Sequence, residues 1–162
     1  MAQSGREIFF MQVALALAAN AAENGEVPVG ALVVRDGEVI GRGQNSMIAR
    51  NDPTGHAEII ALRDAAQCIG NYRLVDCELY VTLEPCAMCA GAMMHARIAR
   101  VIFGASDPKT GACGSVVDLF AQPGLNHHAE VTGGILQGAC AQQLKAFFAL
   151  RRKNPEAVSE TD

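Results

Sequence analysis

The sequence has little of three features that would each direct its interpretation: positive net charge, long apolar runs and, in its first residues, the pattern of a secretion signal. Thirteen Lys and Arg residues against 17 Asp and Glu residues give a net charge of −4, which argues against a strongly basic, non-specific nucleic-acid binder. The longest uncharged stretch near the start, residues 8–22, is too short and too polar to cross a membrane. No basic segment followed by an apolar run and a cleavage site opens the chain, so we expect a cytoplasmic protein.

Composition and length indicate one globular domain. Half of the 162 residues are apolar and 19% are charged, which excludes a disordered or fibrous chain. Three acidic residues and no Lys or Arg lie in 155–162, so residues 1–154 carry a net charge of only −1. We therefore predict one domain over 1–154 and an acidic, disordered tail over 155–162. Six cysteines without a leader favour free thiols or metal ligands over disulfides.

Apolar periodicity and turn residues predict strands that alternate with helices. Asp36-Gly37 indicates a hairpin turn, Asp52-Pro53-Thr54 a turn and helix cap, and Pro85 the first position of a helix. The predicted helices cover 6–24, 56–63, 86–97 and 137–152, the predicted strands cover 31–34, 38–42, 78–83, 100–105 and 129–132, and 107–126 is predicted as a loop. This order predicts an α/β domain with one mixed five-stranded sheet covered on both faces.

One histidine and two cysteines stand at the starts of two predicted helices. Cys86 and Cys89, three residues apart, share one helix face, and the helix N-terminus favours their thiolate forms. Two thiolates and the imidazole of His56 form a ligand set suited to zinc. Three protein ligands leave the fourth tetrahedral position for water, which is the arrangement of catalytic zinc.

Glu58 lies two residues after His56, in the first turn of the same predicted helix. A carboxylate beside a water activated by zinc can take its proton and pass it to a substrate nitrogen. The alternative is a closed structural zinc site with a fourth cysteine, although none of the remaining cysteines forms a second close pair. Glu58 would have no purpose at such a site.

The pattern His56-Ala57-Glu58 followed by Pro85-Cys86-Ala87-Met88-Cys89 is the H-x-E … P-C-x-x-C signature of zinc-dependent nucleobase deaminases, which this chain resembles. Within that superfamily it resembles the bacterial tRNA-specific adenosine deaminases over nearly its whole length. The stretches that carry this narrower resemblance are 26–31, 52–54, 71–74, 80–85, 90–93, 107–111, Phe147-Phe148 and Arg151-Arg152.

The resemblance implies the cytidine-deaminase-like α/β/α sandwich and a role for each matching residue. His56, Cys86 and Cys89 would bind one zinc ion per chain, and Glu58 would move protons. Asn45 would hydrogen-bond the flipped-out base, in a pocket walled by Val27, Pro28 and Val29. His95 and Asp107 would stand near the anticodon nucleotides. The remaining candidates for RNA contact are Phe148 and the basic residues Lys109, Lys145, Arg151, Arg152 and Lys153.

The implied reaction is the hydrolytic deamination of adenosine to inosine at the wobble position of a tRNA anticodon, expected to be that of an arginine tRNA. A homodimer is implied as well. Two other functions stay open on the sequence. One is a deaminase of free nucleobases or nucleosides, such as guanine deaminase, with the same zinc signature. The other is a zinc-stabilised binding module without activity, which Glu58 argues against.

Overall fold

Residues 4–153 are described by a computed structural model, in which helices cover both faces of a five-stranded mixed sheet. The strands are β1 (Gly30–Arg35), β2 (Glu38–Gln44), β3 (Glu78–Leu83), β4 (Arg100–Ala105) and β5 (Glu130–Thr132), in the order β2-β1-β3-β4-β5. β1 is antiparallel to β2 and β3, whereas β3, β4 and β5 are parallel. The helices are α1 (Gly5–Glu23), α2 (Met47–Arg50), α3 (Ala57–Ile69), α4 (Ala87–Ala96) and α5 (Gln137–Lys153).

Alternate residues of the central strands enter two separate cores, which confirms the predicted sandwich. On β1, Leu32 packs with α1 and α5, whereas Val33 packs with α3 and α4. Tyr80 and Val81 of β3 divide in the same way. This period of two is the pattern expected of strands buried on both faces. The sheet therefore holds α3 and α4 side by side on one face.

The hairpin between β1 and β2 brings α3 close to the sheet. Asp36 and Gly37 both have positive φ, as the predicted tight turn requires. A Cβ atom on Gly41 or Gly43 of β2 would overlap the backbone of α3. Because these positions are glycine, α3 packs directly on β2, and its first residues lie beside the end of that strand.

Two expected helix starts are wrong in detail. The side chain of Asp52 accepts hydrogen bonds from the backbone N–H and the hydroxyl of Thr54 and closes a turn, so it does not cap α3, whose N-cap is His56. Pro85 precedes the N-cap of α4, Cys86, and so lies outside the helix. In both cases the metal-ligand candidate occupies the cap position itself, where its backbone is extended and its side chain does not cap the helix.

Strands β3 and β4 have the predicted ends, and the other predicted helices and strands are present with shifted ends. The loop after β4 contains a short 3₁₀ turn at Leu119–Ala121, and α2 was not predicted. Within residues 4–153, no helix is both long and apolar enough to cross a membrane. The predicted acidic tail, residues 155–162, lies outside the described residues.

Candidate metal centre and active site

Three metal-ligating side chains meet at the starts of α3 and α4. The Nδ1 atom of His56 lies 3.6 Å from the Sγ atom of Cys86 and 3.5 Å from that of Cys89. The ligand atoms of all three residues lie within 4.8 Å of one another. Cys86 is the N-cap of α4 and Cys89 lies in its first turn, so one helix start provides both sulfurs.

The spacing and chemistry of these atoms fit zinc. With bond lengths of about 2.0–2.1 Å to nitrogen and 2.3 Å to sulfur, a tetrahedral zinc ion separates its nitrogen and sulfur ligands by about 3.5 Å. All six cysteines of the chain lie in the described range, and the group contains no fourth cysteine. The alternative of a closed structural site is therefore not supported.

A hydrogen bond between the two cysteine thiols shifts their pKa values in opposite directions. A hydrogen bond from Cys89 is the main cause that lowers the pKa of Cys86 to about 4. The same bond, together with burial, raises the pKa of Cys89. His56 is affected too, because its hydrogen bond with Cys86 raises the imidazole pKa. Zinc binding requires both thiols as thiolates and a neutral imidazole, so it displaces protons from this group.

Glu58 lies in the first turn of α3 and is 4% exposed. Its pKa is raised to about 7, mainly by burial, and the nearby Cys86 contributes in the same direction. A carboxyl group with a pKa near neutrality can both accept and donate a proton at physiological pH, as general acid–base catalysis requires. The arrangement therefore places a proton carrier beside three metal-ligating atoms.

A cavity of about 160 Å³ opens at this group. Pockets for drug-sized ligands measure roughly 300–1,000 Å³, so this cavity fits a smaller group. Its lining includes seven predicted site residues: Val27, Val29, Asn45, His56, Glu58, Cys86 and Asp107. Residues from five separate chain segments thus converge on one cavity.

Asn45 connects two walls of this cavity. Its side-chain amide donates to the carbonyl of Val27 at 3.0 Å and accepts from the backbone N–H of Ala57 at 2.9 Å. These bonds tie the 27–29 segment to the start of α3. A primary amide has two donor hydrogens and two acceptor lone pairs, so one of each remains for a ligand.

The structure does not bring the other predicted contact residues into the cavity lining. Pro28 is buried beside it, and His95 lines a separate pocket with Met94 and Leu119. Arg151 stacks on Phe147 at 4.7 Å and donates to the carbonyl of Gly25 at 3.3 Å. The other candidates are exposed, namely Lys109, Lys145, Phe148, Arg152 and Lys153. Their contacts with RNA stay predictions.

Four lining residues were not singled out from the sequence: Met47, Leu83, Glu84 and Thr110. Leu83, Glu84 and Thr110 lie within the stretches that resemble the family, and Glu84 directly precedes Pro85-Cys86. The sequence signal that could have identified Glu84 is a carboxylate at the end of a predicted buried strand, just before two metal-ligand candidates. Met47 and Leu83 carry no comparable signal.

Comparison with known proteins agrees with this chemistry. Residues 5–105 match the family model described as the cytidine and deoxycytidylate deaminase zinc-binding region. A tRNA-specific adenosine deaminase of Haemophilus influenzae is 55% identical over 144 residues, which are 88% of this chain and 83% of that protein. The fit of the three ligands and the family's zinc-binding region agree on one zinc ion per chain.

Solved structures resemble the whole sandwich. One, from a study of A-to-I editing by tRNA:A34 deaminases at the wobble position of transfer RNA, is 47% identical with a TM-score of 0.81, covering 83% of this chain and 98% of that one. A guanine deaminase from Nitrosomonas europaea is 28% identical with a TM-score of 0.71, covering 86% and 82%. With its zinc-ligand geometry and its match to the family model, this chain belongs to the cytidine and deoxycytidylate deaminase family.

Proposed function

We propose that this protein is a tRNA adenosine deaminase, which hydrolyses adenosine to inosine at the wobble position, 34, of an anticodon. The observation that carries the reaction class is the buried Glu58 in one cavity with His56 and Cys86, whose ligand atoms lie close to that of Cys89. The choice of substrate rests on the similarity to tRNA-specific adenosine deaminases at 55% and 43% identity. Guanine deaminases share the fold at lower identity.

His56, Cys86 and Cys89 would hold the zinc ion, which when bound acts as a Lewis acid and lowers the pKa of a water to about 7. Glu58 accepts a proton from the attacking water and donates it to N1 of the purine. The water oxygen forms a bond to C6 as the ring takes up the proton. Glu58 then takes the remaining proton from the new C6 hydroxyl and passes it to the amino group. The C6–N bond breaks as the C6=O bond forms, and ammonia and inosine are the products.

The cavity walls orient the base for this attack. Val27, Val29 and Leu83 provide apolar surface that excludes bulk water from the reacting carbon. The remaining amide hydrogen and lone pair of Asn45 are available to the edge of the base. A target in an anticodon loop suits such an enclosed site, because an unstacked loop base can be inserted without opening a duplex.

Other parts of the proposal concern partners and location. Unstacked RNA would lie across the cavity mouth, where Asp107 and Thr110 meet solvent. A homodimer and a cytoplasmic location are expected from the similarity to tRNA-specific adenosine deaminases. Sedimentation of the zinc-loaded protein measures the first, and a single-chain mass would contradict it.

The substrate is tested by incubating the purified zinc-loaded protein with an anticodon stem-loop RNA that contains A34. Parallel reactions contain free adenosine, cytidine and guanine. We expect inosine at position 34 and little ammonia from the free compounds. Rapid ammonia release from guanine without inosine in the RNA would instead identify a free-base deaminase. Ammonia from none of the substrates, with zinc bound, would support a binding module.

A further inference from the structure

Glu84 is a second buried carboxylate in the cavity, and the mechanism above does not use it. It follows β3 and is 3% exposed. Its Oε1 atom accepts from the backbone N–H of Asp107 at 3.0 Å. Its Oε2 atom accepts from the backbone N–H groups of Cys113 and Ser115 at 3.0 and 3.1 Å. The hydroxyl of Ser115 donates to Oε1 as well.

All four of these hydrogen bonds reach one irregular segment, residues 107–115, which follows β4. Backbone N–H groups buried outside helices and sheets need partners, and one carboxylate serves three of them here. The segment also has internal order, because the Asp107 carboxylate accepts from the N–H groups of Lys109 and Thr110. Glu84 thus holds a preformed turn against the end of β3.

The turn packs on Glu84 without intervening side chains. A Cβ atom at Gly111 would overlap the Glu84 carboxylate. The backbone N–H of Ala112 donates to the carbonyl of Pro85 at 2.8 Å, which brings the turn next to the metal-ligating start of α4. Asp107 and Thr110, carried by this turn, line the cavity together with Glu84.

The charge of Glu84 suits this role. Three backbone N–H groups and one hydroxyl of the 107–115 segment face its two oxygens. An ionised carboxylate only accepts hydrogen bonds, so each of its two oxygens can hold the N–H groups that face it. A carboxamide in its place would direct an NH₂ group at one of these donors.

We infer that Glu84 is a positioning residue, which holds the 107–115 turn at the cavity mouth so that Asp107 and Thr110 meet the nucleotides beside the target base. This inference rests on the proposed function for its substrate. It assigns Glu84 no contact with the reacting atoms. The alternative is that Glu84 supports only the folded state and has no effect on substrate binding.

The test is Glu84→Gln in the zinc-loaded protein, assayed with the anticodon stem-loop RNA. We expect unchanged zinc content and a KM for the RNA that rises about tenfold, with a smaller change in kcat, because displaced contacts weaken binding more than chemistry. Amide hydrogen exchange gives a readout that needs no substrate. The N–H groups of Asp107, Cys113 and Ser115 should exchange faster in the variant.

Glu78→Gln is the matched control, since Glu78 starts the strand that Glu84 follows. Its carboxylate pairs with Arg6 at 2.6 Å and Arg100 at 3.0 Å, at the opposite end of β3 from the cavity. The same loss of charge there should leave the KM for RNA unchanged. Ser115→Ala removes one of the four donors to Glu84 and should give an intermediate KM, and it tests the inference if Glu84→Gln fails to fold.

Three results would overturn the inference. They are a wild-type KM in Glu84→Gln and in Ser115→Ala, an equal rise in KM in Glu78→Gln, or a fall in kcat alone, which would place Glu84 in the chemical step. The exchange measurement separates this inference from the proposed function. If the wild type makes no inosine in RNA, the proposed function fails, whereas faster exchange at Cys113 and Ser115 would still show that Glu84 holds the turn.

Discussion

Glu58 in the first turn of α3 and Glu84 at the end of β3 are equally buried in one cavity, yet the pKa values of their carboxyl groups shift in opposite directions. Burial raises the pKa of Glu58 to about 7. For Glu84, the hydrogen bonds of the 107–115 turn outweigh burial and lower the pKa. The balance between desolvation and hydrogen-bond donors decides whether a buried carboxyl group is suited to carry protons or to hold structure.

The largest effect is expected when the metal ligands are removed, and it should separate the two carboxylates. Cys86→Ala should lose zinc and all measurable deamination, because Glu58 then has no activated water to act on. Cys68→Ser, at an exposed cysteine outside the ligand group, is the control and should keep both. Zinc content and initial rates measure this. Stoichiometric zinc in Cys86→Ala would contradict the ligand assignment.

Glu58→Gln should keep zinc but lose activity by about 10²–10⁴-fold, the usual contribution of general acid–base catalysis. The carboxamide preserves the shape of the side chain and cannot take a proton from water. Initial rates on the anticodon stem-loop at equal zinc content give the measurement. A loss below about tenfold would mean that Glu58 is not the proton carrier.

The same substitution at the two sites should change stability with opposite signs. Glu84→Gln leaves at least one buried N–H group without an acceptor, which costs roughly 1–3 kcal/mol. Glu58→Gln removes a poorly solvated carboxyl group, so its free energy of unfolding should be equal to or higher than that of the wild type. Denaturant unfolding of the zinc-loaded proteins compares them. Equal losses at both sites would remove the distinction between the two carboxylates.

The stabilising effect of Glu84 should depend on pH. Its folded-state pKa is lowered, so its contribution is fully present above the ordinary value near 4.5 and is lost as the pH falls through the folded value. The difference in melting temperature between the wild type and Glu84→Gln should therefore shrink below about pH 4.5. Because both proteins keep the same metal site, its own acid sensitivity cancels. A difference that is constant down to pH 3 would contradict an ionised Glu84.

The smallest effect is expected far from both carboxylates, at the end of α5. Arg152 is exposed, and if it contacts a phosphate, Arg152→Ala should reduce the slope of log K against log salt by about 0.7. Arg151→Ala is the comparison, since Arg151 also holds the carbonyl of Gly25, two residues before the cavity wall at Val27. RNA binding titrated over a range of salt measures both. An unchanged slope in Arg152→Ala would mean that Arg152 is solvated at the end of the helix and contacts no phosphate.

Local signals were sufficient for most of the fold and for the core of the site. Apolar periodicity predicted every strand and the four long helices, because these elements are stabilised by faces that repeat along the chain. Spacing of three between Cys86 and Cys89 predicted that the thiols share one helix start. The short helix α2 escaped prediction, since its stability comes from the buried Glu26 carboxylate, which accepts from Ile48 and Ala49.

The sequence by itself indicated the chemistry available to this protein: the zinc-ligand candidates, the acid–base candidate and the elements that bear them, which two short motifs 30 residues apart encode. Only the tertiary structure decided what Glu84 and Asn45 do, because their partners lie 12 to 31 residues away along the chain. Hydrogen bonds between such distant groups form only where packing brings an irregular segment of backbone next to them. The sequence has no periodic pattern that predicts the position of such a segment. The opposite pKa shifts of Glu58 and Glu84 are caused by desolvation and by hydrogen-bond donors. Both causes exist only once the chain has folded and formed the cavity.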